Sequence, residues 1–217
     1  MLGKWIGLPS IFYFPLMTPM KSFPAFGLLV LSVLYSDFLT AQDVVTGTLF
    51  PRTITHSQPL KGWAPYTTAG EIHQPYSMVF LYASWKELEP IEDQYEFEKW
   101  EKEDWTHPRA KGKHIIFRIY MDYPTKKSGI PPWLLEKGVE TEKYSQHGGG
   151  ITPNYNHPEM RKALAKFIAA LGARYNLNPR VAFIQLGLLG HWGEWHTYPQ
   201  PERFADQTTT KIVVEAY

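Results

Sequence analysis

The 217 residues contain no cysteine. That absence excludes disulfides, thiolate metal sites, a cysteine nucleophile and a lipid-modified cysteine anchor. Charge of one sign is also lacking: 22 Lys and Arg stand against 21 Asp and Glu, a formal net charge of +1. This balance gives no electrostatic case for nucleic acid or an acidic membrane as partner. Short basic pairs such as Lys126-Lys127 read as solvated loop ends. No G-x-S-x-G elbow, phosphate-binding loop or dinucleotide fingerprint occurs, so no cofactor is implied. Gly148-Gly149-Gly150 lacks the Lys-Ser/Thr of a phosphate loop and reads as a flexible loop. No apolar stretch reaches the ~20 residues of a spanning helix without Pro or Gly interrupting it.

Aromatic side chains are abundant instead, at 15% with eight Trp, within a hydrophobic fraction of 44%. Such rings first fill cores. They also line sugar clefts, where the apolar face of a pyranose stacks on a ring and its hydroxyls need polar partners. At the N-terminus, Met20-Lys21 precedes an apolar stretch from Phe23 to Leu34 and then Ala41-Gln42. A basic residue, an apolar segment and a small residue before the break have the form of a secretory signal. Residues 1–42 are therefore expected to be a leader and signal peptide, with export to the periplasm or outside the cell. Retention as a membrane anchor is the alternative. Residues 43–217 are expected to fold.

Within that region apolar runs alternate with helical stretches. A first strand is expected in Pro59–Tyr66, a second over Ser77–Ala83, a third over His114–Tyr120 and a fourth over Val181–Leu186. Helices are expected across Glu96–Ala110, with Trp100 and Trp105 inward, and from His157 through Arg174, with Leu164, Phe167, Ile168 and Leu171 on one face. Another helix begins in Pro201–Tyr217, and Pro124–Pro153 reads as one long loop. Strands that end by delivering aromatics and carboxylates into loops build the working face of a (β/α) barrel. The expected fold is α/β, a TIM-type (β/α)8 barrel of which about the first four βα units are present. A half-barrel leaves open sheet edges, so the chain is expected to be part of a longer protein.

Trp85-x-x-x-Glu89-Pro90 followed by Tyr95-x-Phe97 resembles the W-x-x-x-E-P-x-x-G-x-Y-x-F signature of β-galactosidase-type glycoside hydrolases. Ile116-Phe117-Arg118 and Gly129-Ile130-Pro131-Pro132-Trp133-Leu134-Leu135 resemble their third strand and its following loop. The likeness spans roughly Tyr76 to Trp195. It is closest to bacterial secreted proteins with a glycosidase-like barrel that carry G-x-W-G-E-W-H at the fourth strand. The resemblance implies hydrolysis of an oligo- or polysaccharide by paired carboxylates.

Glu194, in Gly190-His191-Trp192-Gly193-Glu194-Trp195-His196, is the candidate general acid/base. In the resembling enzymes that acid is a Glu at the end of the fourth strand, and indoles flanking it would raise its pKa by desolvation. Those enzymes carry a Q-V-E-N-E-like run; counted from Gln185, its acid position is Leu189 here, and the Asn-Glu pair is absent. A longer exit loop returning Glu194 to the same place is one reading; a loop Glu pairing with Arg or capping a helix is the other. The second carboxylate of such enzymes comes from the seventh strand, beyond Tyr217. Substrate contacts are expected from Trp85, Glu89, Arg118, Asp122, His191, Trp192, Trp195 and His196. Glu89 could equally fix its loop by hydrogen bonding, and Asp122 could pair with Arg118. Arg118, charged on a buried strand, needs a partner. His191, Glu194 and His196 also suggest a weaker reading as a metal-dependent hydrolase, although H-x-x-E-x-H is no established zinc spacing; no metal is assigned. The remaining alternative is a carbohydrate-binding barrel without catalysis.

Overall fold

The structure, a computed structural model, describes residues 59–217. The leader, the signal segment and the boundary at residue 42 lie outside the described residues. Three parallel strands form the main sheet: β1 (Met78–Ser84), β2 (His114–Tyr120) and, following them in space as in sequence, β5 (Val181–Ile184). The expected first strand does not form a ladder. It touches β1 through one isolated bridge, Tyr66 to Phe80, where the Phe80 amide donates to Pro65 O at 2.9 Å, while Gly62 and Trp63 bridge to Tyr76, ahead of β1. Pro59 and Pro65 lack an amide N–H, and Gly62, at φ +91°, breaks the extended backbone between them.

The strands alternate in burial as period two requires. Val79, Leu81 and Ala83 of β1 and Ile115, Phe117 and Ile119 of β2 point into the main core. The opposite face carries Phe80 and Tyr82, then Ile116 and Arg118, then Phe183, which is half-exposed. Helices cover the first face. A short helix α1 (Trp85–Leu88) leaves β1 through a capping box, in which the Ser84 hydroxyl accepts from the Glu87 amide and the Glu87 carboxylate accepts from the Ser84 amide. Then comes α2 (Phe97–Asp104). It stops well short of Ala110 because His107-Pro108 cannot continue a helix.

The expected long loop is in fact largely structured. It contains α3 (Pro132–Glu136) and an antiparallel hairpin, β3 (Thr141–Tyr144) with β4 (Gly150–Pro153). Gly148-Gly149 is the hairpin's connection, not a free loop. Next, α4 (Pro158–Tyr175) starts at a His157 cap with Pro158 in its first turn and buries Leu164, Phe167, Ile168 and Leu171. Its Phe167 ring stacks on Trp85 at 4.8 Å, and Trp100 meets Trp105 and Phe117 at 5.5 and 5.2 Å. Each such buried ring contributes about 1.5–3 kcal/mol by leaving water. The last helix, α5 (Gln207–Ala216), is capped by Asp206, whose carboxylate accepts from the Thr209 amide, and packs along α4. Among the described residues no helix is long and apolar enough to cross a membrane.

Candidate active site

The C-terminal ends of β1 and β2 and the loop after β5 converge on one cleft. β2 supplies Arg118, opposite Tyr82 of β1 in the ladder register. One guanidinium nitrogen of Arg118 donates to Tyr82 Oη at 2.9 Å and to Glu194 Oε1 at 2.6 Å. The Arg118 side chain is 16% exposed and that of Glu194 is 41% exposed. The charge on the strand thus has its counter-ion at the mouth of the sheet, which satisfies the cost of placing it there. His196 Nε2 lies 3.9 Å from the other Glu194 oxygen. Burial drives the Tyr82 hydroxyl pKa well above its ordinary value, opposed by the nearby Arg118 charge, so it stays a hydroxyl.

Glu194 rides on a loop that folds tightly against β2. The Leu188 amide donates to Ile119 O, the Trp192 amide to Asp122 O, and the Glu194 amide to His191 O. Gly193, at φ +67°, brings the loop so near that a Cβ there would lie 2.8 Å from Ile119 O. Trp192 and Trp195 also adopt left-handed backbone, at φ 54° and 59°. Such conformations in bulky residues persist only where surrounding bonds fix them. They turn the two indoles to different places. Trp192 lines the cleft, a hollow of about 460 Å³ bounded with it by Tyr66, Thr68, Tyr82, Tyr123, Lys126 and Glu194. Trp195 packs against the core and donates its indole N–H to Gly187 O.

Of the expected contacts, the cleft therefore gathers Glu194, Trp192 and, through its bond to Glu194, Arg118. The indoles do not enclose Glu194 as expected: its carboxyl is open to solvent and paired with Arg118. Trp85 and Glu89 are buried and do not line this cleft. Trp85 is fully buried, and its indole N–H donates to Glu89 Oε2 at 2.7 Å. The other Glu89 oxygen accepts from the Asp93 amide at 2.9 Å. Glu89 thus closes its own loop, with burial raising its pKa against the pull of those two donors. Asp93 stands where the signature has glycine and has φ +65°, the conformation glycine would adopt freely.

Asp122 and His191 are likewise buried and outside the cleft's lining. Asp122 is fully buried and accepts from Tyr144 Oη and from His191 Nδ1, the latter at 2.8 Å. It pairs with His191, not Arg118, and burial raises its pKa while Tyr144 and His191 oppose the rise. That His191 nitrogen is thus already taken. Among the described residues no group of three or more histidines and carboxylates lies close enough to hold a metal ion. The cleft-lining residues that sequence reasoning missed are Tyr66, Thr68, Tyr82, Tyr123 and Lys126. For Tyr82 a signal existed: Phe80 and Tyr82 share the parity opposite to Val79, Leu81 and Ala83.

A parallel sheet covered by helices, with one ion-paired carboxylate and a ring-lined cleft at its strand ends, makes this an α/β domain with its candidate site where such folds place theirs. The chain matches the family model of glycoside hydrolase family 42, described as β-galactosidase, over residues 74–187, and it belongs to that family. The match covers more than half of the chain and contains β1, β2 and β5, though it ends before Glu194. No curated protein and no solved structure matches it.

Proposed function

We propose that this chain is the N-terminal half of a secreted (β/α)8-barrel glycoside hydrolase-like protein that acts on plant or microbial oligo- or polysaccharide, with Glu194 as one of its two working carboxyls. The observation that carries this reading is the Glu194–Arg118–Tyr82 constellation at the strand ends, inside a cleft walled by aromatic rings. The half-barrel assignment is supported by the open face of the sheet. Phe183 is 52% exposed on the face shared by Tyr82 and Arg118, where further strands of a closed barrel would cover it. Export is supported by the signal-like run before Ala41-Gln42 alone.

Glycoside hydrolysis needs two carboxyls, ~5 Å apart for retention and ~6.5–9.5 Å for inversion. Glu194 is the one acid among the cleft's lining residues, so the partner carboxyl is supplied from outside residues 59–217. Bound to Arg118, Glu194 is a hydrogen-bond acceptor. As general acid, Glu194 would take up a proton from the solvent to which its carboxyl is open and pass it to the glycosidic oxygen as the bond from that oxygen to the anomeric carbon breaks, the partner carboxyl meeting the positive charge that develops on the sugar. The second reading, a carbohydrate-binding barrel without catalysis, is favoured by that single carboxyl and by the missing Asn-Glu pair after Gln185.

Reducing-sugar release and oligosaccharide binding by the full-length protein separate these readings. Turnover of galacto- or related oligosaccharides supports the enzyme. Saturable binding without turnover of any glycoside supports the binding module, and neither binding nor turnover overturns both.

A further inference from the structure

The cleft beside Glu194 does not end at Tyr123. Lys126, which lines it, also lines an adjoining hollow of about 440 Å³ bounded by Ser84, Lys86, Glu87, Tyr120, Lys127 and Ser128. No carboxylate among the described residues pairs with Lys86, Lys126 or Lys127, whereas Lys137, Lys162, Lys166 and Lys211 all have acidic partners. Glu87 is the one acid in this second hollow, and one of its oxygens is occupied by the Ser84 amide. Inside the first hollow the single carboxylate, Glu194, is already neutralised by Arg118.

Lys126 is held in place. Its ammonium lies 4.0 Å from the centre of the Tyr123 ring and 5.7 Å from that of Tyr120. Its amide donates to Tyr123 O, and the neighbouring Thr125 amide donates to Gly149 O of the hairpin. On the α2 side a third hollow is lined by Lys86 and Lys126 as well as Lys99, together with Glu87, Glu96, Glu103 and Asp104, so the lane is most positive at Lys126 and Lys127 and is balanced by acids toward Lys86. The result is a path of ammonium groups over aromatic faces that starts at the candidate catalytic carboxyl and leads away from it.

We infer that this lane selects a glycan bearing anionic substituents, carboxylate or sulfate, on the residues next to the bond presented to Glu194. The inference rests on the carbohydrate reading above and specifies its substrate class. A pyranose ring stacks on Tyr82, Tyr123 or Trp192, and its anionic group meets the ammonium of Lys126 or Lys127, neither of which forms an ion pair with a protein carboxylate. A neutral glycan would gain the stacking and leave the lysines solvated.

The test is calorimetric titration of the full-length protein with three oligosaccharides of equal length: a neutral galacto-oligosaccharide, an oligogalacturonide and a sulfated galactan fragment. At low salt at least one acidic oligosaccharide should bind about tenfold more tightly than the neutral one, the preference shrinking at high salt. Whichever acid binds better identifies the substituent. Lys126→Met should lose about two- to fivefold of that preference, and the double change Lys86→Met/Lys127→Met a similar amount, with melting unchanged because all three side chains are exposed. A neutral oligosaccharide binding as tightly as both acidic ones overturns the lane while leaving the carbohydrate reading intact. A preference that survives both lysine variants overturns it as well. Binding of none of the three sinks the carbohydrate reading itself.

Discussion

Gly193→Ala tests whether the loop bearing Glu194 depends on close approach to β2. Gly193 has φ +67°, and an added Cβ would lie 2.8 Å from Ile119 O and 3.3 Å from both Arg118 Cδ and Leu188 N. Placing alanine in left-handed backbone costs about 1 kcal/mol. The contact with a backbone carbonyl adds about 1–2 kcal/mol, because Ile119 O is itself held by the Leu188 amide at 2.7 Å and cannot retreat cheaply. The expected loss is therefore about 2–3 kcal/mol, read as a fall in the urea midpoint at unchanged slope. Gly138→Ala is the control. That glycine also has positive φ, at +87°, but nothing within 4 Å of its Cβ position, so only the backbone cost of about 1 kcal/mol should appear. If the two variants lose the same stability, the packing of this loop on the strand is not as described.

Gly172 lies within α4 with open space around its Cβ position, so Gly172→Ala should raise stability by about 0.5–1 kcal/mol, checked by thermal melting. Glu89→Gln leaves one of two donors, the Trp85 indole or the Asp93 amide, facing an amide N–H, and should cost about 1–3 kcal/mol at neutral pH. Because burial raises the folded-state pKa of Glu89, stability linked to its protonation is gained as pH falls from the folded value toward the unfolded one. The advantage of the native protein over Glu89→Gln in denaturation midpoint should accordingly widen from pH 7 toward about pH 4, where an unfolded glutamate titrates; a shrinking advantage would contradict the assignment. Trp192→Ala should weaken oligosaccharide binding by about 1–3 kcal/mol, whereas Trp195→Ala should lower the melting temperature and leave binding largely intact, as calorimetry and melting together would show.

The sheet was legible in the sequence because its strands are apolar runs buried on one whole face, as in His114–Tyr120. Helix α4 was legible through its apolar spacing and the His157-Pro158-Glu159 start. The hairpin was not: three of the four β3 residues are exposed, and only Tyr144 turns inward to reach Asp122, so neither strand shows alternating hydrophobicity. Within the site, Arg118 and Glu194 stood out as a charge on a strand and an acid on a loop. Their pairing across 76 positions of sequence depends on how the Gly190–His196 loop turns back, which spacing cannot encode. The same turn separates Trp192 from Trp195, adjacent to Glu194's loop in sequence yet sent to cleft and core. Asp122 and Glu89 matched expected positions, but their burial follows from partners distant in sequence or supplied by the backbone.

The most direct measurement of the central claim is kcat/KM of Glu194→Gln in the full-length protein, across aryl glycosides of graded leaving-group acidity and one natural oligosaccharide. Glutamine keeps the size and the acceptor toward Arg118 but has no transferable proton. If Glu194 protonates the leaving oxygen, turnover of the oligosaccharide should fall by about 10²–10⁴, and the loss should vanish for the most activated aryl glycoside. Parental rates on the natural oligosaccharide, with Arg118 and the fold undisturbed, would make Glu194 the structural counter-ion of Arg118 and nothing more.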